Sequence, residues 1–437
     1  MNGSRTTGGT VTSAAVKWVA GWAGAGVWAA GFVAFSTLAP HRIWGASAAV
    51  GYLGAALAAG LLRGPRARSV ALGSALTGAV AVPFGYLLLT GEGQSEVGVI
   101  QRSAALLLHS GTPYLAEPQA VTDYNPYLPG MALFGIPAAL LGDGRPVARL
   151  LGDARLWCAV VLLLCLVGGR AVLRRGGPGH VAAPGGSTVL AVLIASPLVA
   201  FPLCVSGVDL PLAGLCWLGL ALAARGRGGA AGLALAAACA LKWTALPAVA
   251  VAAALLTGSY GTRQALRCAS AWSAGVVALV LPVALRSPGA LVEQVFAFPT
   301  GQAEVATPAA SPLPGRLLAE LGPAGRYTAV LLLVCGGVAV AVSLVTRPPA
   351  GCVAAADRLA AGLCVAFLFA PAGRFGYFAL PLLLVVWSRL ATGVLTGARS
   401  QAGPRRRGGP PTTRPTALPQ ATHVARHVPA AALPGRR

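Results

Sequence analysis

The sequence predicts an all-α polytopic membrane protein with about twelve transmembrane helices, on three observations. Hydrophobic residues make up 56% of the chain and charged residues only 10%, against roughly 25% charged in soluble domains. The mean hydropathy is +0.72. Apolar runs of spanning length alternate with short breaks rich in Arg, Pro or Gly. A net charge of +22 does not make this a nucleic-acid binder. That function needs the charge on one exposed face of a folded domain, whereas here a bilayer divides it.

In order, the runs lie at about 16–38, 44–62, 69–89, 154–169, 187–205, 210–224, 228–242, 244–258, 270–286, 327–346, 359–371 and 375–391. Those at 210–224, 228–242, 359–371 and 375–391 are short for a hydrocarbon core of about 30 Å. The piece at 129–142 is shorter still and reads as re-entrant or interfacial. Two large loops interrupt the series, 90–153 and 286–326. After a core of 69–395 comes a tail, 396–437, rich in Arg and Pro and without acids. It lacks hydrophobic periodicity, so it is expected to be disordered and cytoplasmic, drawn to anionic lipids. No internal repeat and no cleavable signal are evident. The nine cysteines form no C-x-x-C pair, so neither a disulfide framework nor a metal site is expected.

Lys and Arg set the orientation through the positive-inside rule, with both termini cytoplasmic. The acids then fall on one side. All eleven except Asp357 lie in outer loops, and the net charge of +22 becomes cytoplasmic. Almost every carboxylate available for acid–base work therefore faces outward.

The first outer loop carries the densest pattern. Ser95 is a candidate N-cap for an amphipathic helix from Glu96 to about His109, lying along the membrane surface. Glu96 sits in its first turn, where the helix dipole favours an ionised carboxylate. Gly111-Thr112-Pro113 breaks the helix. Tyr124-Asn125-Pro126-Tyr127-Leu128-Pro129 follows as a stiff extended segment.

This arrangement, an acid with Val99 and Arg102 behind it, then Gly111-Thr112-Pro113-Tyr114 and Tyr124-Asn125-Pro126-Tyr127, resembles the first periplasmic loop of GT-C glycosyltransferases. The nearest group is glycosyltransferase family 87, the polyprenol-phosphate-mannose-dependent mannosyltransferases of actinobacteria. Further blocks are similar: Ser206-Gly207-Val208-Asp209-Leu210, Arg225-Gly226-Arg227, Ala231-Gly232-Leu233, Leu241-Lys242, and Phe298-Pro299 with Ser311-Pro312-Leu313-Pro314-Gly315. Together they scatter over about 75–390. The family acid is usually Asp where this chain has Glu96. The family's Gly-Gln pair is replaced by Gly207-Val208-Asp209, which makes Asp209 a second candidate acid. The first two spans, within 1–68, look like an N-terminal addition.

The resemblance implies a GT-C-like core that moves a hexose, most often mannose, from a polyprenyl phosphate to an extracytoplasmic glycolipid, lipoglycan or protein, without a cofactor or metal. Glu96 would be the general base, and attack from the opposite face would invert the anomeric centre. Lys242 is the only lysine inside an apolar run, where an ammonium costs roughly 2.5–3.5 kcal/mol on insertion scales, and would meet the donor phosphate. Arg102, Arg286, Arg316 and Arg374 are outer-side cations able to assist. Tyr114, Tyr124 and Tyr127 would stack on sugar or line the acceptor groove. Each side chain also has a plainer reading. Glu96 is then a helix-start acid, Asp209 a helix cap, Lys242 a snorkelling cation, Arg374 a headgroup anchor, and the tyrosines an interfacial belt. Two other functions compete with transfer: a lipid or polysaccharide transporter, and a catalytically inactive membrane subunit.

Overall fold

The computed structural model describes residues 7–142, 144–174 and 186–393. The expected disordered tail at 396–437, together with the outer-loop acid Asp143, lies outside them. Among the described residues the chain is helical, and its one strand-like feature is a single bridge between Ala310 and Gly373. It is an all-α multi-pass membrane protein. Large apolar side chains such as Val27, Val50, Leu57, Leu164, Leu266 and Leu331 point outward from its long helices. That is the inverse of a soluble surface.

Every one of the twelve apolar runs is helical, but nine helices are individually long and apolar enough to cross a membrane, or ten with a bent pair counted as one span. The chain opens with an antiparallel hairpin, α1 (Thr7–Phe35) and α2 (Ala39–Leu61), followed by α3 (Gly64–Thr90). The expected amphipathic segment forms α4 (Ser95–Ser110), and α5 (Ala154–Arg174) is the next span. The run at 187–205 breaks into α6 (Gly186–Ala195) and α7 (Pro197–Val205), bent by 62° at Ser196-Pro197. Proline disfavours helical geometry in the residue before it, which places the bend.

Two short helices sit at the centre, α8 (Leu210–Ala223) and α9 (Gly228–Leu241). Fourteen residues rise only about 21 Å, short of the bilayer core. Apart from Leu215 and Leu218, every residue of α8 is buried. A helix apolar all round belongs inside a bundle. The remaining spans are α10 (Leu246–Tyr260), α11 (Thr262–Arg286), α12 (Pro323–Thr346), α13 (Cys352–Phe369) and α14 (Ala379–Thr392). Helix α13 starts well before the apolar run at 359–371. Its first turns contain Asp357, which takes two hydrogen bonds from Arg389 on α14, at 2.6 and 2.9 Å. That pairing lets a charge-bearing turn join a span.

Small residues let helices touch at backbone distance, as membrane packing favours. A Cβ on Gly232 of α9 would lie 2.2 Å from the Cys268 carbonyl of α11. Where α2 crosses α3, a Cβ on Gly51 would lie 2.6 Å from Gly78 Cα. Helix α3 carries a π-helical turn, Thr77–Ala81, just ahead of Pro83. Proline offers no N–H to the carbonyl four residues back, that of Ala79. The Trp44 indole N–H donates to that carbonyl at 2.9 Å, so a backbone acceptor in the apolar interior stays satisfied. Tyr52 does the same at the α6–α7 break, donating to the Ala195 carbonyl at 2.6 Å.

The piece at 129–142 becomes a 3₁₀ turn, Pro129–Gly135, and a six-residue helix, Ile136–Leu141. It is too short to cross. It packs on the end of α9, where Leu128 N–H donates to the Leu241 carbonyl at 3.0 Å.

Candidate active site

Four charged side chains far apart in sequence meet at one end of the bundle. Helix α4 begins one residue earlier than the cap pattern suggests. Ser95 is its first residue and Gln94 holds the cap position, without a side-chain cap bond. Glu96 is in the first turn as expected, and Val97, Val99, Ile100 and Ala104 form the buried face. Arg374 Nη1 donates to Glu96 Oε1 at 2.6 Å. Arg374 lies in the turn between α13 and α14, which the 286–326 loop braces. Ser311 N–H donates to the Gly373 carbonyl at 3.0 Å, and Gly373 N–H donates to the Ala309 carbonyl at 2.9 Å.

The second pair joins Asp209, just ahead of α8, to Lys242, just after α9. Lys242 Nζ donates to Asp209 Oδ1 at 2.5 Å. Asp209 stands at the cap position of α8 but makes no capping bond; its carboxylate turns to the lysine instead. The ammonium does not snorkel outward. It lies 5.0 Å from the ring centre of Tyr127 and 5.8 Å from that of Tyr377, both within cation–π range. The short α8 and α9 bring these two residues to the same end as Glu96. Tyr127 stands between the pairs and feels the charges of Glu96, Asp209 and Arg374, while burial pushes its phenol pKa well up and keeps it neutral. Burial by itself would lower the Arg374 guanidinium, and the Glu96 carboxylate together with Tyr377 and Tyr127 leaves it above its ordinary value. The group is thus a neutral set of two acids and two cations around aromatic rings, each acid partly open to solvent.

The other sequence candidates hold the loops. Tyr114 is buried and its hydroxyl donates to the Tyr127 carbonyl at 2.9 Å. Tyr124 stacks on Phe298, with ring centres 4.3 Å apart, and donates to Glu293 at 3.1 Å. It borders an open groove of about 840 Å³ that Glu117, Glu293 and Glu304 also line. Arg102 donates to the Thr122 carbonyl beside Asp123. The Ala120 and Gln119 N–H groups hold the Asp123 carboxyl below its ordinary value. Arg316 pairs with Glu320 one turn along an exposed short helix, at 2.8 Å. Arg286 donates to the Ser110 carbonyl at 3.3 Å. None of these three arginines joins the two pairs.

Residues the sequence reading passed over fix the frame. Arg155 is fully buried and all five of its donors are used. It makes a two-pronged pair with Asp153, at 3.0 and 2.7 Å, and bonds the carbonyls of Leu87, Glu92 and Cys204 at 3.1, 2.8 and 2.8 Å. The turn leading to Asp209 rests on it: a Cβ on Gly207 would lie 3.2 Å from Arg155 Cα. Gln294, also fully buried, accepts from Asn125 N–H at 3.0 Å and donates to the Leu115 carbonyl at 2.6 Å, bolting the two large loops together. An Asp two residues before an Arg at the mouth of an apolar run was the available signal for Arg155. The aromatic run after Arg374 was the signal for Tyr377.

No family model, curated protein or solved structure matches the chain.

Proposed function

We propose that this chain is a membrane-embedded glycosyltransferase of the GT-C kind. It moves a hexose, mannose by the resemblance of its loops, from a polyprenyl phosphate to an acceptor hydroxyl on the extracytoplasmic side. Glu96 takes the hydroxyl proton as the acceptor oxygen bonds to the anomeric carbon. The bond from that carbon to the phosphate oxygen breaks, its electron pair leaves with the polyprenyl phosphate, and the anomeric centre inverts. Lys242 and Arg374 hold the phosphate and balance the charge it gains, as fixed cations do at a leaving group. Asp209 orients Lys242 and offers a second carboxylate to sugar hydroxyls.

The observation that supports this reading is the convergence of Glu96, Asp209, Lys242 and Arg374, drawn from four segments, at one end of the bundle around Tyr127. A transporter places its polar groups near the bilayer midplane on several helices, whereas these lie at helix ends and in loops. The test is to incubate the purified protein with polyprenyl-phosphate mannose or glucose in the presence of bacterial membrane lipids. Free polyprenyl phosphate, formed together with a glycosylated product, is the expected result. Absence of turnover with both donors rejects the proposal.

A further inference from the structure

The residues ahead of α4 are tied to three other elements, and one tie comes from the N-terminal hairpin. The Glu92 carbonyl accepts from Arg155 at 2.8 Å, and Gln94 N–H donates to the Val205 carbonyl at 2.8 Å. The third tie is a side-chain contact. Gln94 Nε2 lies 2.5 Å from Nε2 of His41, at the start of α2. His41 is itself fixed, with Nδ1 3.0 Å from Ser36 Oγ. Its ring meets Phe32 and Phe201 edge to face, with centres 5.5 and 5.0 Å apart. One tautomer satisfies both contacts: the proton on Nδ1 goes to Ser36, and Nε2 accepts from the Gln94 amide.

Gln94 is extended, at φ −68° and ψ 156°, and Glu96 follows two residues later in the first turn of α4. The angle at which the chain leaves Gln94 therefore sets where the Glu96 carboxylate points. Beyond Arg374, the one described side-chain contact of that carboxylate is a long one from Ser95 Oγ, at 3.4 Å. Its aim depends on the backbone at 94–96 and on Arg374. The backbone there is tied through Gln94 alone to the hairpin turn.

We propose that His41 and Gln94 are positioning residues for Glu96, so that the α1–α2 hairpin is part of the catalytic scaffold rather than a detachable anchor. This rests on the glycosyl-transfer reading above. A displacement of the base by about 1 Å is enough to cost on the order of 100-fold in rate, while Lys242 and Asp209 sit on other segments and keep their places.

The experiment uses the purified full chain and the polyprenyl-phosphate sugar that the wild type turns over, with thermal unfolding measured alongside. His41→Ala and Gln94→Ala should fold and lower kcat per folded molecule by about 10- to 100-fold, with the donor KM unchanged. Gln94→Asn, polar but one methylene short of His41, should fall with them. His41→Gln, which restores a polar group near the Nε2 position, should recover most of the rate. A merely structural role would lower the folded fraction and leave kcat per folded molecule alone, and that result overturns the inference even if both Ala variants misfold, because Gln94→Asn reports it too. If the wild type transfers no sugar, the glycosyl-transfer reading fails and takes this inference with it. If the wild type is active and Gln94→Asn keeps its kcat, this inference alone falls.

Discussion

Two kinds of ion pair lie close together in this protein and differ in how fully their hydrogen bonds are used. The Arg155–Asp153 pair is fully enclosed, and every guanidinium donor has a partner on one of four segments. The Arg374–Glu96 and Lys242–Asp209 pairs each rest on one short contact, and each keeps side-chain surface open. A saturated pair holds backbone in place and has nothing left to offer a ligand. A pair joined by one contact can exchange its partner; in the proposed transfer the donor phosphate would take the cation and leave the carboxylate free to accept a proton. Bond saturation, rather than charge alone, separates scaffold from site here.

The largest effect expected from this contrast is on the scaffold side. Arg155→Met takes the guanidinium from Asp153, which keeps only the residue 155 N–H at 2.9 Å, and leaves three carbonyls without that donor; removing one partner of a buried pair costs about 3–5 kcal/mol. Thermal unfolding in detergent should show that loss, and a variant as stable as the wild type would break the comparison. On the site side, Lys242→Met should leave the fold intact and weaken donor use more than acceptor use. A lost charged hydrogen bond of about 1.5–3 kcal/mol corresponds to roughly 10- to 150-fold in donor KM; unchanged donor dependence would remove the phosphate role. Trp44→Phe removes the indole donor from the Ala79 carbonyl, and should cost about 1–3 kcal/mol of stability without touching KM. The smallest effect belongs to Arg316→Gln. Its pair with Glu320 is exposed, so stability should change by about 0–1 kcal/mol and transfer should persist. A large loss of activity would return Arg316 to the site.

The long spans were legible because apolar runs of spanning length leave few alternatives, and the loop acid was legible because Glu96 opens an amphipathic helix. The count of spans was not. Helices α8 and α9 read as short transmembrane runs, but their length reflects their place inside the bundle, where the chain is covered by protein rather than lipid. The apolar run at 359–371 hid the start of α13, because Asp357 reads as a break until Arg389 is seen beside it. Lys242 stood out as a lone lysine in an apolar run, yet its partner Asp209 is 33 residues away and only the packing of α8 on α9 joins them. Arg102 and Arg316 resembled site cations from their loops alone. Whether an arginine meets a ligand, a carbonyl or a neighbouring glutamate depends on tertiary distance, which spacing along the chain does not carry.

The most direct measurement compares wild type with Glu96→Gln for transfer of labelled sugar from its polyprenyl phosphate, at equal expression and thermal stability. Loss of a general base should lower the rate by about 100- to 10,000-fold while donor binding persists. Full activity in Glu96→Gln would contradict the account, because the acceptor hydroxyl would then lose its proton without the Glu96 carboxylate.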